Sequence, residues 1–265
     1  MTRTILAAFF LALALPAAAQ TGVERLYVLD CGNARAPDQA RWSPGVNVGQ
    51  PLDIVDNCYL IHHAQGWMLW DTGVPDALAQ ATQPPSGAIP WQRKITVAAQ
   101  LHAIGVAPSD IRYIGVSHTH GDHVGNVDEF PAATVLIQKA EYDWAFAGPN
   151  KPFSAGHRAE LLAGDRDVFG DGSVRIISTP GHTPGHQSLM VDLSKTGWLI
   201  LSGDAAHFRD NFDHRRVPSM NTDKDQTVAS MQRLSDLMAQ NHAQLWINHD
   251  ARQNAGIRHA PEFYE

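Results

Sequence analysis

The stretch at residues 117–123, with the sequence SHTHGDH, constrains this chain more than any other. It directly follows an apolar run that predicts a buried strand. Alternate side chains of an extended chain share one face, so His118 and His120 are expected to point at one metal ion. A glycine then lets the chain turn, so Asp122 and His123 are expected to address a second ion. Imidazole and carboxylate groups are the ligands that zinc takes in catalytic sites.

Three more predicted strand ends carry residues of the same chemistry. His182 lies in the sequence TPGHTPGH after one strand, Asp204 closes another, and His249 follows the last one. A single histidine or aspartate after a strand is usually a turn residue or a helix cap. Because open α/β folds collect their sites at strand ends, four such ends in one chain predict a shared site.

The order of the predicted elements indicates an α/β layered fold. Apolar runs predict strands at residues 24–30, 57–62, 67–70, 111–116, 134–137, 174–178, 187–193, 198–201 and 245–247. Helices are predicted at residues 95–104, 139–146 and 226–239. Residues 32–53 and 80–92 predict long loops, and such loops often border sites. Helices between groups of strands favour two sheets with helices outside over an all-β sandwich.

The composition fits one large domain or two small ones with a sizeable core. Of the 265 residues, 44% are apolar, so a disordered chain is not expected. The formal net charge is −7 and there is no basic patch, so no nucleic-acid partner is expected. Beyond the first twenty residues, no segment is long and apolar enough to span a membrane.

The first twenty residues are typical of a secretory signal. Arg3 precedes an unbroken apolar run at residues 5–15, and Pro16 is followed by three alanines that suit cleavage. The run is too short for a permanent membrane anchor, and a buried N-terminal helix is the alternative. We therefore predict a signal peptide at residues 1–19, a mature domain at residues 20–265 and a periplasmic or secreted protein.

The two cysteines, Cys31 and Cys58, leave two interpretations open. In an exported protein they could form a disulfide, because oxidising compartments preserve such bonds. Two buried thiols are the alternative, since sequence does not give the distance between the two Cα atoms. Neither cysteine lies in a CxxC motif or beside histidines, so neither is expected to bind a metal or act as a nucleophile.

The succession HxHxDH, TPGHTPGH, GDA and a late histidine resembles the metallo-β-lactamase superfamily. Within it, the chain is most similar to the N-acyl homoserine lactonase (quorum-quenching lactonase) family. The resemblance covers residues 26–264 and includes the stretches NCYLI at residues 57–61 and WDTG at residues 70–73. It implies an αβ/βα sandwich in which two mixed β-sheets are flanked by helices.

The family pattern implies a role for each ligand residue. It implies a first metal held by His118, His120 and His182, a second held by Asp122, His123 and His249, and Asp204 bridging both. The implied metals are two zinc ions, with cobalt, manganese or iron as alternatives because ligand type selects weakly among these ions. Asp71 matches a supporting position that orients metal-bound imidazoles, and His186 is expected outside the ligand set.

The resemblance also implies an activity, the opening of N-acyl homoserine lactones or related lactones. A hydroxide shared by the two metals is expected to attack the carbonyl carbon, and Asp122 is the candidate for passing the proton to the leaving oxygen. His207 stands where these lactonases commonly carry a tyrosine. It can still donate a hydrogen bond and orient the substrate, or it marks a different substrate. Five aromatic residues are candidates for an acyl channel: Trp144, Phe146, Phe153, Phe208 and Phe212.

Two other functions stay open on the sequence. One is another dizinc hydrolase, such as an esterase, a thioesterase or a β-lactamase-like enzyme, and the other is a non-catalytic binder of the same fold. The bridging position of Asp204 argues against antibiotic hydrolysis as the main task, and the complete ligand set argues against a non-catalytic binder. The expected partner is a small lactone or ester. The oligomeric state is left open, with a homodimer among the options.

Overall fold

The computed structural model describes residues 22–265, so the predicted signal peptide at residues 1–19 lies outside the described residues. The strands are β1 Val23–Ala36, β2 Leu52–His63, β3 Gly66–Trp70, β4 Ile111–Gly115, β5 Thr134–Gln138, β6 Ala159–Leu162, β7 Arg166–Asp167, β8 Val174–Ser178, β9 Gln187–Leu193, β10 Gly197–Leu201 and β11 Gln244–Trp246. The α-helices are α1 Val97–Ala103, α2 Gly121–Val124, α3 Lys139–Ala147, α4 Arg209–Asp213, α5 Lys224–Asn241 and α6 Ala251–Asn254.

The strands form two mixed sheets that meet at one edge. Strands β1 to β6 pair in chain order, antiparallel as far as β3 and parallel from β3 to β6. Strands β7 to β10 pair antiparallel in chain order, and β11 adds to β10 in parallel. Between β1 and β9, Val23 and Leu193 are the single register pair that connects the two groups. This arrangement confirms the predicted fold of two mixed sheets with flanking helices.

The apolar core is divided into three layers by the two sheets. Along β2, the side chain of Ile61 faces the space between the sheets, whereas the side chain of Leu60 faces outward. The outward face of the first sheet packs against Leu101 of α1. The outward face of the second sheet packs against Met231 and Leu234 of α5. The alternation of side chains along each strand therefore buries both faces of both sheets, as helix-covered sheets require.

The hairpin of β1 and β2 is longer than the sequence predicts. The predicted loop at residues 32–53 is wrong at both ends, because β1 continues to Ala36 and β2 already begins at Leu52. The extension is hidden in the sequence because its inward side chains include the small Ala34 and Ala36. These alanines pack with Ile54 in a separate apolar cluster beside the site. The predicted bounds of β8 and β9 are confirmed, and short elements such as α2, α4 and β7 were missed.

A disulfide joins β1 to β2. Cys31 and Cys58 are bonded across a Cα–Cα distance of 5.7 Å, and both are fully buried. A side chain at Gly73 would overlap Cys31, and the φ angle of +73° at this glycine also disfavours any other residue. The sequence left a disulfide and two buried thiols as alternatives, and the structure contains the disulfide. Within the described part of the chain, no helix combines the length and apolar character needed to cross a bilayer.

Candidate metal centre

The structure brings all seven predicted ligand residues together. They lie in the segments that follow four strands, β4, β8, β10 and β11. His118 and His120 follow β4, Asp122 and His123 lie in α2, His182 lies between β8 and β9, Asp204 follows β10, and His249 follows β11. Each segment leaves a buried strand and is therefore held at a fixed position. The predicted convergence of distant strand ends is present in the fold.

Four of these residues form a compact first group of donor atoms: His118, His120, His182 and Asp204. Nδ1 of His120 lies 2.9 Å from Nε2 of His118 and 3.1 Å from Nε2 of His182. Oδ2 of Asp204 lies 3.6 Å and 3.3 Å from the same two Nε2 atoms. Four ligands at zinc–ligand distances of about 2.0–2.1 Å in a tetrahedron stand roughly 3.4 Å apart. The first group therefore has the spacing of a tetrahedral metal site.

The second group is formed by Asp122, His123 and His249. The other carboxylate oxygen of Asp204, Oδ1, lies 3.4 Å from Nε2 of His123 and 3.0 Å from Nε2 of His249. Nε2 of His249 lies 3.9 Å from Oδ2 of Asp122. Asp204 thus presents one oxygen to each group, which is the geometry that a bridging carboxylate needs.

Buried atoms without protein partners indicate that the donors suit metal ions. Nε2 of His123 and Oδ1 of Asp204 are buried and accept or donate no hydrogen bond within the described residues. Buried polar atoms are almost always hydrogen-bonded. Two neighbouring buried atoms without a hydrogen bond therefore indicate that a ligand binds between them. Nitrogen and oxygen donors in this number are what zinc and related divalent ions bind. The residues present therefore fit a pair of metal ions.

Hydrogen bonds outside the two groups fix the orientation of three histidine rings. Nδ1 of His123 lies 2.9 Å from Oδ2 of Asp71, and Nδ1 of His182 lies 3.2 Å from Oδ1 of Asn221. Nδ1 of His249 donates to a backbone carbonyl oxygen at 2.7 Å. With the proton on Nδ1, Nε2 of each ring is left as the nitrogen that would bind a metal ion in the centre. Asn221 was missed from the sequence, because it lies in a polar loop with no distinguishing motif.

Asp71 holds the start of the histidine-rich segment as well. Its carboxylate accepts hydrogen bonds of 2.7 Å from both the backbone N–H and the hydroxyl of Ser117, the residue before His118. Asp71 adopts a positive φ of 56°, a conformation that an aspartate rarely adopts and that clusters at functional sites. The supporting role predicted for Asp71 is consistent with these contacts.

The charged groups of the centre perturb one another strongly. Burial alone would raise the pKa of Asp204, but the surrounding histidines, His249 first among them, hold it well below its usual range. Burial opposes protonation of His249, yet the carboxylate of Asp204 raises its pKa to about 9. The pKa of His123 is likewise raised, against burial, by Asp204 and Asp71. Burial lowers the pKa of His118 and His182 well below the ordinary histidine value. Strong opposing shifts within one cluster are typical of functional sites.

A cavity of about 260 Å³ opens directly above the two groups. Its floor is formed by five residues of the centre and its neighbour His207. Its walls are formed by Ile54 of β2 and by five residues between the strands: Arg41, Trp42, Ile89, Trp91 and Met220. Trp91 belongs to the long loop that was predicted to border a site. Trp42 was missed, although a tryptophan in a segment rich in glycine and proline is itself unusual.

His207 faces the same cavity from the side of Asp204. It is 2% exposed, and its Nε2 lies 3.0 Å from Oδ2 of Asp204. Together with Asp204 and His249 it forms a third group of donor atoms close enough to share an ion. The position is therefore next to both the candidate ligands and any bound substrate.

None of the five aromatic residues expected in an acyl channel lines this cavity. Phe146 and Phe153 pack under the first sheet, and Phe212 packs under the second. Phe208 packs against Trp42 outside the cavity, with ring centroids 6.2 Å apart. Trp144 is 45% exposed, with its ring centroid 6.5 Å from that of His120. Phenylalanines near a site in sequence were drawn into the core, where large apolar side chains are usually buried.

The fold and the site together define a class of proteins. The family model described as the Metallo-beta-lactamase superfamily matches residues 51–240, and the chain belongs to this superfamily. Among curated relatives, the chain is 33% identical to the N-acyl homoserine lactonase AttM of Azorhizobium caulinodans, over 91% of this chain and 98% of the relative. It is 28% identical to the N-acyl homoserine lactonase AiiA of Bacillus thuringiensis subsp. kurstaki, over 91% and 99% of the two chains.

The solved structures give the same picture. The chain is similar to an N-acyl homoserine lactone hydrolase that was solved with the product N-hexanoyl-L-homoserine at its catalytic metal centre. The TM-score is 0.82 at 27% sequence identity, and the similarity covers 91% of this chain and 99% of that one. The similarity therefore extends over most of both chains.

Proposed function

We propose that the protein is a dizinc hydrolase that opens the ring of N-acyl homoserine lactones or related lactones. The observation that carries the proposal is the position of Asp204, whose two carboxylate oxygens each face one complete group of nitrogen and oxygen donors. The relatives named above as lactonases, and the product bound by one of them, support the choice of substrate. His118, His120 and His182 would hold one zinc ion, and Asp122, His123 and His249 the other.

The chemistry requires water to add to the ester carbonyl and the acyl C–O bond to break. Two zinc ions, when bound, lower the pKa of a bound water toward neutrality and polarise the carbonyl oxygen. The leaving alkoxide oxygen needs one proton, and the products are then a carboxylate and a hydroxyl on the opened chain. The residues of the protein have to supply the orientation and the path of that proton.

Asp122 is the proposed carrier of the proton. Its side chain is 17% exposed, against 4% for Asp204, and it lines the cavity. A carboxylate that faces the substrate can take a proton from the attacking water and deliver it to the leaving oxygen. Asp204 is less suited to this task, because both of its carboxylate oxygens are already faced by histidine rings, those of the two groups and that of His207.

His207 is the proposed group that orients the substrate. It lines the cavity, and an imidazole N–H can donate to a carbonyl oxygen as a tyrosine hydroxyl does. The apolar walls formed by Trp42, Trp91 and Ile89 would bury an acyl chain while the lactone ring lies over the donors. The walls of the cavity would thus bind the acyl chain, and the residues of its floor would carry out the reaction.

A second function within the same class is favoured by one observation. A histidine rather than the tyrosine common in lactonases stands at position 207, so the group that contacts the substrate differs. Another ester, a thioester or a β-lactam is the alternative substrate. The same two zinc ions and the same carboxylates would serve that reaction.

We also propose that the protein is exported. The charged, apolar and small-residue pattern of residues 1–19 supports this, as does the buried disulfide between Cys31 and Cys58. Disulfides persist in oxidising compartments and are rare in the cytosol. Fractionation of the producing cells, with mass measurement of the purified chain, tests the proposal. A full-length cytosolic chain would contradict it.

The experiment for the activity is proton release during ring opening by the zinc-loaded protein. N-acyl homoserine lactones with short and long acyl chains are compared with a simple aryl ester, a thioester and a β-lactam. Turnover of the lactones that is lost in Asp204→Ala supports the proposal. Turnover of another ester but not of lactones would move the function to the alternative substrate.

A further inference from the structure

Glu141 is a fully buried carboxylate that belongs to neither donor group. It lies in the first turn of α3 and is 0% exposed. Within the described part of the chain it forms no ion pair with a lysine, arginine or histidine. It accepts hydrogen bonds from backbone N–H and hydroxyl groups instead. A buried carboxylate is costly unless such hydrogen bonds satisfy it, so the partners of Glu141 determine what it does in the fold.

The carboxylate of Glu141 hydrogen-bonds to the two segments that carry the three histidines of the first donor group. Oε1 accepts hydrogen bonds from the backbone N–H of Thr119 at 2.8 Å and from its hydroxyl at 2.7 Å. Oε2 accepts a hydrogen bond from the backbone N–H of Gly185 at 3.0 Å. Thr119 lies between His118 and His120, and Gly185 follows His182 by three residues. One side chain therefore spans the gap between segments that are more than sixty residues apart in sequence.

The close approach of these segments depends on the residue types present. A side chain at Gly185 would overlap the backbone of Glu141, so only glycine lets the second segment come this near to α3. Hydrogen bonds to an ionised acceptor are shorter and stronger than those between neutral groups. The hydrogen bonds of Glu141 therefore hold both the segment of Thr119 and the segment of Gly185 close to α3.

The residues that Glu141 binds, Thr119 and Gly185, lie nearest to the histidines of the first donor group. Nδ1 of His120 stands between Nε2 of His118 and Nε2 of His182, and these three atoms come from the two segments that Glu141 joins. The rings of His123 and His249 are oriented by other partners, the carboxylate of Asp71 and a carbonyl oxygen of β2. Glu141 therefore joins histidine segments of the first group, and it makes no hydrogen bond with Asp122, His123 or His249 among the described residues.

We infer that Glu141 is a positioning residue that sets the spacing of His120 and His182, and thereby the affinity of the first metal site but not of the second. The inference rests on the part of the proposed function that places metal ions in both groups. It does not depend on which ester the enzyme hydrolyses. Partners of this kind typically change metal affinity about 10- to 100-fold when they are altered.

The test is a zinc titration of Glu141→Gln against a competing chelator. The amide keeps the size of the side chain but turns one acceptor into a donor that faces an N–H group. One of the two zinc ions is expected to bind about 10- to 100-fold more weakly, with the other unchanged. Cobalt-loaded samples identify the weakened site from the absorption bands of the bound cobalt. The bands that weaken in Glu141→Gln should be those that His120→Ala loses and not those that His249→Ala loses.

Asp171→Asn is the matched control. Asp171 is a carboxylate that also accepts several hydrogen bonds, from Gly22, Ser173 and His63, but it contacts no residue of the centre. Both variants should lower the stability of the fold, whereas only Glu141→Gln should change a metal affinity. If Glu141→Gln does not fold, Thr119→Ala removes one of the three hydrogen bonds and should give a smaller shift at the same site.

Equal weakening of both sites, or of neither, in a folded Glu141→Gln protein would overturn the inference. The same holds if Asp171→Asn weakens the first site as much. A wild-type protein that binds two zinc ions with no lactone turnover would contradict the proposed substrate alone. The two failures are therefore distinguishable.

Discussion

The backbone N–H of Asp204 donates a hydrogen bond to Nε2 of His186 over 2.9 Å. Nδ1 of the same ring lies 3.0 Å from the carbonyl oxygen of Thr179 and donates to it, so the ring is fixed as one neutral tautomer. Burial lowers the pKa of His186 to about 4, which agrees with a neutral ring. His186 thus anchors the backbone of the proposed bridging residue, and its Nε2 is already used and cannot bind a metal.

Replacing His186 with leucine should destabilise the protein and loosen Asp204. The N–H of Asp204 and the carbonyl of Thr179 would be buried without partners, at a cost of about 1–3 kcal/mol in the free energy of unfolding. Urea unfolding measures the loss, and zinc titration should show both metals bound more weakly. His102→Leu, at an exposed position of α1, is the control. Wild-type stability of His186→Leu would contradict the anchoring role.

Replacing His207 with phenylalanine should lower kcat/KM for the preferred ester by about 100-fold, as loss of one hydrogen-bond donor to a reacting carbonyl does. The zinc content should remain at two per chain, because the seven other residues complete both groups. Tyrosine at the same position should restore part of the rate. Kinetics and metal analysis of the same samples measure both quantities. If zinc is lost together with activity, His207 is instead a ligand in the third group with Asp204 and His249.

Removing the disulfide should destabilise the fold without touching the centre. The bond between Cys31 and Cys58 closes a loop with a sequence separation of 27 residues. Loop-closure entropy for that length gives about 3.5 kcal/mol in the free energy of unfolding. Denaturation of the double alanine variant measures the effect. Because both cysteines are buried, the folded wild type should also resist reductant, and rapid reduction under native conditions would contradict the protection of the bond by the core.

Asp171 should make the fold sensitive to acid. Burial would raise the pKa of Asp171, but hydrogen bonds from Ser173, His63 and Gly22 outweigh it and hold the pKa well below the usual value. Since the pKa is lower in the folded than in the unfolded chain, the stabilisation is complete above about pH 4 and is lost as the pH falls further. Wild type should therefore lose stability below pH 4 more steeply than Asp171→Asn. Parallel stability curves for the two proteins in acid would contradict this.

The proposed ligand residues could be singled out from the sequence because each one follows an apolar strand in a recognisable motif. His182 and His249 are far from His118 in sequence, yet the strand ends that carry them converge as an α/β fold requires. Glu141 and Asn221 could not be predicted, because a glutamate in a helix and an asparagine in a loop have no local pattern. Their roles depend on contacts between segments that only the folded chain brings together.

The walls of the cavity could likewise be predicted only in part from the sequence. The long loop at residues 80–92 was recognised as a border of the site, and Trp91 does line it. The phenylalanines expected there are in the core, since apolar side chains alone do not tell a wall from a core. The hairpin extension past Gly32 was missed because its buried positions are filled by small alanines.

Simultaneous measurement of zinc content and lactone hydrolysis tests the central claim most directly. The protein is stripped of metal, reloaded with zinc in steps, and assayed with N-hexanoyl homoserine lactone at each step. We predict that activity rises to its maximum as two zinc ions bind per chain, and that Asp204→Ala neither binds both ions nor hydrolyses the lactone. A wild-type protein that holds two zinc ions and leaves the lactone intact, or that hydrolyses it equally well without metal, would contradict the account.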